Sequence, residues 1–155
     1  MSTPELICRL MQARTAAHLA HFKTRSFAQH KALDGFYTDI VDLIDSFAET
    51  YQGLFGLIEE YPSCGMPNGD PIQWLEELRQ WMKKWRAATC QGEPALENIH
   101  DEMTALIGKT LYQLKYLDNP GYVYQAFSAH EAAEPPMAKN IENDKATDLL
   151  KMSKW

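Results

Sequence analysis

Along most of this chain apolar residues recur every three or four positions, and nowhere do they alternate as in a strand. Leu6, Ile7, Leu10, Met11, Ala13 and Ala17 form a first stripe that reaches about Phe22. Thr3-Pro4 opens it, a cap residue followed by proline at the first helical position. After the polar turn Lys23-Thr24-Arg25, Ser26 and Gln29 make a capping box for a second helix. Phe27, Leu33, Phe36, Tyr37, Ile40, Leu43, Ile44 and Phe47 keep its period to about Tyr51, or further through Leu54 and Ile58. Tyr61 to Asp70 is rich in proline and glycine and predicts a loop. Asp70-Pro71 starts a third helix with Trp74, Leu78, Trp81 and Trp85 on its apolar side. Gln91-Gly92-Glu93-Pro94 breaks it. Leu96, Ile99, Met103, Leu106, Ile107, Leu111 and Leu114 mark a fourth helix that ends near Asn119-Pro120-Gly121.

The pattern therefore predicts an all-α protein, a four-helix bundle over residues 1–121. Residues 122–155 form a less regular C-terminal extension, with a linker at Ala132 to Pro136 and a short polar helix at Ile141 to Met152. A length of 155 residues suits one domain with a real core. No apolar run approaches the ~20 residues of a membrane span, and Met1 to Arg14 lacks a signal-peptide layout. Three cysteines (Cys8, Cys64, Cys90) without CxxC spacing argue against a disulfide framework or a thiolate zinc site, and set a cytoplasmic location as the expectation. The net charge of -6 argues against a general polyanion binder.

The second helix carries the chemistry. At 100° per residue, Asp34, Asp45 and Glu49 lie about 40°, 60° and 100° round from His30, so all four share one face. An imidazole and three carboxylates beside an apolar stripe are costly unless something compensates their charge. Asp34 and Asp45 are, however, roughly 16 Å apart along the axis. One chain cannot close both around one metal. Two copies of the helix, antiparallel across a twofold axis, would bring the His30/Asp34 end of one to the Asp45/Glu49 end of the other, giving two identical sites. His18, 12 positions before His30, reaches the start of the second helix across the turn. Nitrogen and carboxylate oxygen suit Fe(II) and, less selectively, Zn(II) or Mn(II). The plainer reading is a solvated polar stripe.

The pattern H-x11-H-x3-D-x10-D-x3-E, formed by His18, His30, Asp34, Asp45 and Glu49, resembles the ferroxidase signature of the Dps mini-ferritins, as does the local wording from His30 to Phe36 and from Asp45 to Glu49. The resemblance implies a ferritin-like four-helix bundle, usually assembled as a dodecameric shell. It implies Fe(II) oxidation, commonly by hydrogen peroxide, at sites shared across subunit twofolds, and storage of the ferric product. By position, His18, His30 and Asp34 would come from one subunit and Asp45 and Glu49 from its neighbour. Leu19 stands where many members of that family have tryptophan, and the lysine-rich N-terminal tail that holds DNA in some members is absent, which argues against DNA binding. The chain also resembles Dps-like proteins encoded by some bacteriophages. The alternative, from another class, is a non-catalytic helical protein that keeps the fold and binds partners through its surface, such as a phage accessory protein.

Other candidates weigh less. His21 reads as an exposed neighbour of His18. Tyr37, one turn beyond Asp34, reads as packing rather than electron transfer, and the tryptophan stripe as core. Asp39 and Asp42 face solvent. Glu97-x-x-His100 lacks the second such pair that an intrasubunit di-iron site needs and reads as a surface or core-edge pair. Lys83-Lys84-Arg86 is too short for a nucleic-acid patch. No phosphate loop, G-x-S-x-G or H-E-x-x-H occurs.

Overall fold

A computed structural model describes residues 2–117. It contains four helices, α1 (Thr3–Lys23), α2 (Phe27–Phe55), α3 (Pro71–Cys90) and α4 (Pro94–Tyr112), the last continuing into a π-helical turn over Gln113–Leu117. The four pack together, and no strand occurs among the described residues. The extension from Tyr122, with its predicted linker and helix, lies outside them. No described helix is long and apolar enough to cross a membrane.

The helix ends follow from local chemistry. Ser26 Oγ accepts from the Gln29 N–H at 3.1 Å, as the capping box predicts. Asp70 caps α3 by accepting from the Ile72 N–H at 3.2 Å. Thr3 departs from expectation. Ser2 is the residue before the helix, and Thr3, its first residue, uses Oγ1 to donate to the Thr89 carbonyl at 2.8 Å. That buried clasp joins the start of α1 to the end of α3. Helix α2 stops at Phe55 because Gly56 turns to φ 94°, which only glycine adopts without strain. The connection to α3 therefore runs over residues 56–70, longer than predicted, because Leu57 and Ile58 extend the apolar period past the break.

Side-chain contacts fix the helix directions. Thr3 meets Thr89, and the Arg9 guanidinium lies 4.8 Å from the Trp81 ring centroid, so α1 and α3 are antiparallel. Phe36 meets Trp74 at 6.5 Å near the start of α2 and α3, while Gln91 Nε2 donates to the Tyr51 hydroxyl near their ends. Those two helices run parallel. Helix α1 packs on α2 and α3, and α4 packs on the same two, which places α2 and α3 across the diagonal. Residues 56–70 must then return along the full length of the packed helices. Fifteen extended residues span up to ~50 Å, enough for the ~30 Å length of α3.

The centre is apolar throughout: Leu6, Leu10, Phe36, Phe47, Met82 and Met103 are fully buried. Each such side chain contributes roughly 1.5–3 kcal/mol relative to exposure. Trp74 belongs to this core, whereas Trp81 is only half-buried against it and Trp85 is half-buried further along α3. The tryptophan stripe is therefore core at one end and boundary at the other.

Candidate functional site

The short turn at residues 24–26 folds α1 back on α2 and sets His18 and His21 opposite His30, Asp34 and Tyr37. Asp34 and Tyr37 are one turn apart on α2, so the Tyr37 hydroxyl donates to Asp34 Oδ1 at 2.9 Å. Lys31 donates to Oδ2 at 2.7 Å. These two bonds, Lys31 first, hold the Asp34 carboxyl below its usual range, and the same bond holds the Tyr37 phenol above its own. The His18 ring stacks on Tyr37 with centroids 4.0 Å apart. The Arg14 guanidinium lies 5.9 Å from the same ring, over which His18 also stands.

The two remaining histidines lock each other. Their rings stack at 3.7 Å. His21 Nδ1 donates to the His30 carbonyl at 3.1 Å, and His30 Nδ1 donates to the His21 carbonyl at 3.3 Å. A carbonyl only accepts, so each Nδ1 must carry the proton. The lone pair of each neutral ring then sits on Nε2, the form a metal ligand requires. His21 is buried, not the exposed neighbour that its place after His18 suggested. Tyr37 packs, as expected, but it also positions Asp34. The spacing held a signal for both: each lies three residues from a predicted ligand on the same helix face.

Asp45 and Glu49 are not brought to this cluster. Both are exposed further along α2. Asp45 edges a cavity of about 370 Å³ between α1, α2 and the crossover, beside Met11 and Tyr61. Among the described residues, no three His, Cys, Asp or Glu side chains converge to hold a metal ion within one chain. At one end of the α1–α2 hairpin, Tyr37 links His18 to Asp34 and His21 links His18 to His30, without the three closing on one point, while Asp45 and Glu49 are exposed further along α2. Asp39 and Asp42 are exposed, as expected.

Glu97 and His100 do not form a pair. Glu97 turns to Arg86 at 3.2 Å, and Arg86 also binds Asp101 through two nitrogens. His100 is 1% exposed, inside the core rather than at its edge.

Comparison with known proteins adds the relationship. A family of unknown function, DUF5856, matches residues 21–114. The chain belongs to this family. The DUF5856 match takes in His30, Asp34, Asp45 and Glu49 and begins just after His18. A protein of Enterobacteria phage T4, described as an uncharacterized 14.6 kDa protein in the mobD-ri intergenic region, is 32% identical over 114 residues. That alignment covers 73% of this DUF5856 chain and 84% of the phage protein. No solved structure matches.

Proposed function

We propose that this DUF5856 protein is a Dps-like mini-ferritin that binds Fe(II) at sites shared between two copies of the chain and oxidises it. The observation that carries the reading is the division of the five candidate residues. His18, His30 and Asp34 lie at one end of the hairpin, with the His30 Nε2 lone pair kept for a ligand. Asp45 and Glu49 stand exposed roughly 16 Å or more along the same helix, which supports their use by a second copy. The single long crossover between parallel, diagonal helices supports a ferritin-like bundle, a fold with one such connection.

Fe(II) is the substrate. His18, His30 and Asp34 bind it from one copy and Asp45 and Glu49 from the other, and the carboxylates offset its charge. Lys31, which is exposed, swings off Asp34 Oδ2 as the cation arrives, since the two positive charges compete for one carboxylate. Tyr37 keeps its bond to Oδ1 and fixes the carboxylate plane. With hydrogen peroxide as oxidant, two Fe(II) give up one electron each, and the peroxide O–O bond breaks to leave two hydroxides. Oligomerisation to a dodecameric shell, retention of the ferric product, and a phage setting like that of the T4 relative complete the proposal.

A second reading, a non-catalytic helical interaction protein, is favoured by one feature. Phe22 and Phe27 flank the α1–α2 turn at 69% and 76% exposure and form an apolar tip. Asp45→Ala with Glu49→Ala separates the two readings. The ferroxidase reading expects Fe(II) oxidation, followed by absorbance of the ferric product, to be lost while circular dichroism and assembly size are kept. Oxidation at the original rate would leave partner binding as the function.

A further inference from the structure

Cys8 and Cys64 are 56 positions apart in the chain and meet in the fold. Cys8 lies on α1, and its Sγ donates to the Pro62 carbonyl at 3.0 Å. That bond holds the crossover two residues before Cys64 and so brings the Cys64 thiol into the neighbourhood of the Cys8 thiol, near enough for each to feel the other. Both are half-buried, within reach of a small solute, while Cys90 is fully buried on α3. The crossover here is non-helical backbone, so bringing the two sulfurs to bonding distance breaks no helical hydrogen bond on its side. Its position also matters. Tyr61 walls the cavity beside Asp45, and Gly65 to Asn68 wall a second one, of about 380 Å³, against Arg9 and Trp74.

We propose that Cys8 and Cys64 form a redox-responsive dithiol that closes to an intramolecular disulfide and fastens the crossover to α1. The oxidant is a low-molecular-weight disulfide of the glutathione class. One protein thiolate attacks a sulfur of that disulfide, giving a mixed disulfide and releasing one small thiolate, which takes up a proton. The second protein thiol, giving its proton to solvent, attacks the protein-side sulfur and expels the other small thiol. Two protein thiols and one small disulfide become one protein disulfide and two small thiols, so electrons and protons balance. Burial first, then the bond with Cys8, pushes the Cys64 thiol up to about 11. At neutral pH that sulfur is held as the thiol, and closure speeds up as pH rises. A tether between such distant positions restrains the crossover, hence the shared wall of both cavities. This inference stands apart from the Fe(II) reading.

The test uses the full-length native protein, incubated with oxidised glutathione, blocked with N-ethylmaleimide and mapped by mass spectrometry. The expected product is a Cys8–Cys64 cross-linked peptide that dithiothreitol reverses, with Cys90 alkylated only after unfolding. Proteolysis within residues 56–70 should slow several-fold on oxidation and recover on reduction. Separate glutathione adducts on Cys8 and Cys64, or no reaction at either, would overturn the proposal. So would a cross-link that leaves cleavage unchanged. Cys64→Ser should make cleavage indifferent to the oxidant, and continued protection in that variant would also sink the idea. The peptide map needs no variant, so a folding failure of Cys64→Ser leaves the test intact.

Discussion

Asp34 is held by Tyr37 as well as by its own helix, which makes Tyr37 a positioning residue for the proposed site. Loss of a partner that orients a ligating carboxylate typically costs about 10–100-fold in metal affinity or activity. Tyr37→Phe keeps the ring that stacks on His18 and removes only the hydroxyl. Fe(II) binding or oxidation should fall within that range at unchanged thermal stability, and an unaltered rate would leave Tyr37 a packing residue alone. His100 makes a different prediction. Among the described residues neither ring nitrogen has a hydrogen-bond partner, since Asp101 lies 3.7 Å from Nδ1, beyond bonding distance. Burial, the largest effect, holds its imidazole below the usual range; Asp101 opposes this and Arg86 adds to it. Above the unfolded value of about 6.5, both states are neutral and nothing is lost. As pH falls through that value, the unfolded chain takes up a proton that the folded chain resists, so stability falls with acid. His100→Leu should flatten this slope in urea titrations at about pH 7.5 and 5.5 and cost no more than about 1 kcal/mol at the higher pH. Parallel slopes for the two proteins would place the acid sensitivity elsewhere.

Among the elements, α2 carries the site and depends on its cap. Ser26→Ala removes the bond to the Gln29 N–H and should cost about 1 kcal/mol. The fraying would fall on the turn that holds His30, so Fe(II) affinity should drop along with the denaturation midpoint; a drop in stability alone would detach the cap from the site. The cap, the α1 and α2 stripes and the proline start of α3 were all legible in the sequence, because each rests on residues near in the chain; Pro94, which read as part of a break, is the first residue of α4. The direction of α3 was not. Leu57 and Ile58 keep the helical period past Gly56, so the pattern blurs where α2 ends and says nothing of where residues 56–70 travel. That course is set by contacts between distant positions, Thr3 with Thr89 and Cys8 with Pro62. Phe22 and Phe27 mislead in the same way: apolar and in period, they lie beyond the end of the core that would bury them. Spacing likewise singled out His18, His30 and Asp34; His21, one turn from His18, read as exposed, whereas it is buried and its backbone carbonyl fixes the tautomer of His30.

At the scale of the whole molecule, the decisive question is whether two copies share one site, and subunit mixing answers it without a structure of the assembly. His30→Ala and Asp45→Ala should each abolish Fe(II) oxidation when pure, because every site then lacks one ligand. In a twofold pair made of one of each, one site receives both defects. The other takes His30 and Asp34 from the Asp45→Ala chain, and Asp45 and Glu49 from the His30→Ala chain, and is complete. After dissociation and random reassociation of equal amounts, half the pairs are mixed and each has one of its two sites intact. About a quarter of the original activity should therefore return. A site built within one chain would recover nothing on mixing, since each copy would carry its own defect. An assay of the mixture before and after reassociation thus distinguishes a shared centre from an internal one. It also separates both from a bystander pattern, in which the two single variants would match the starting protein from the outset.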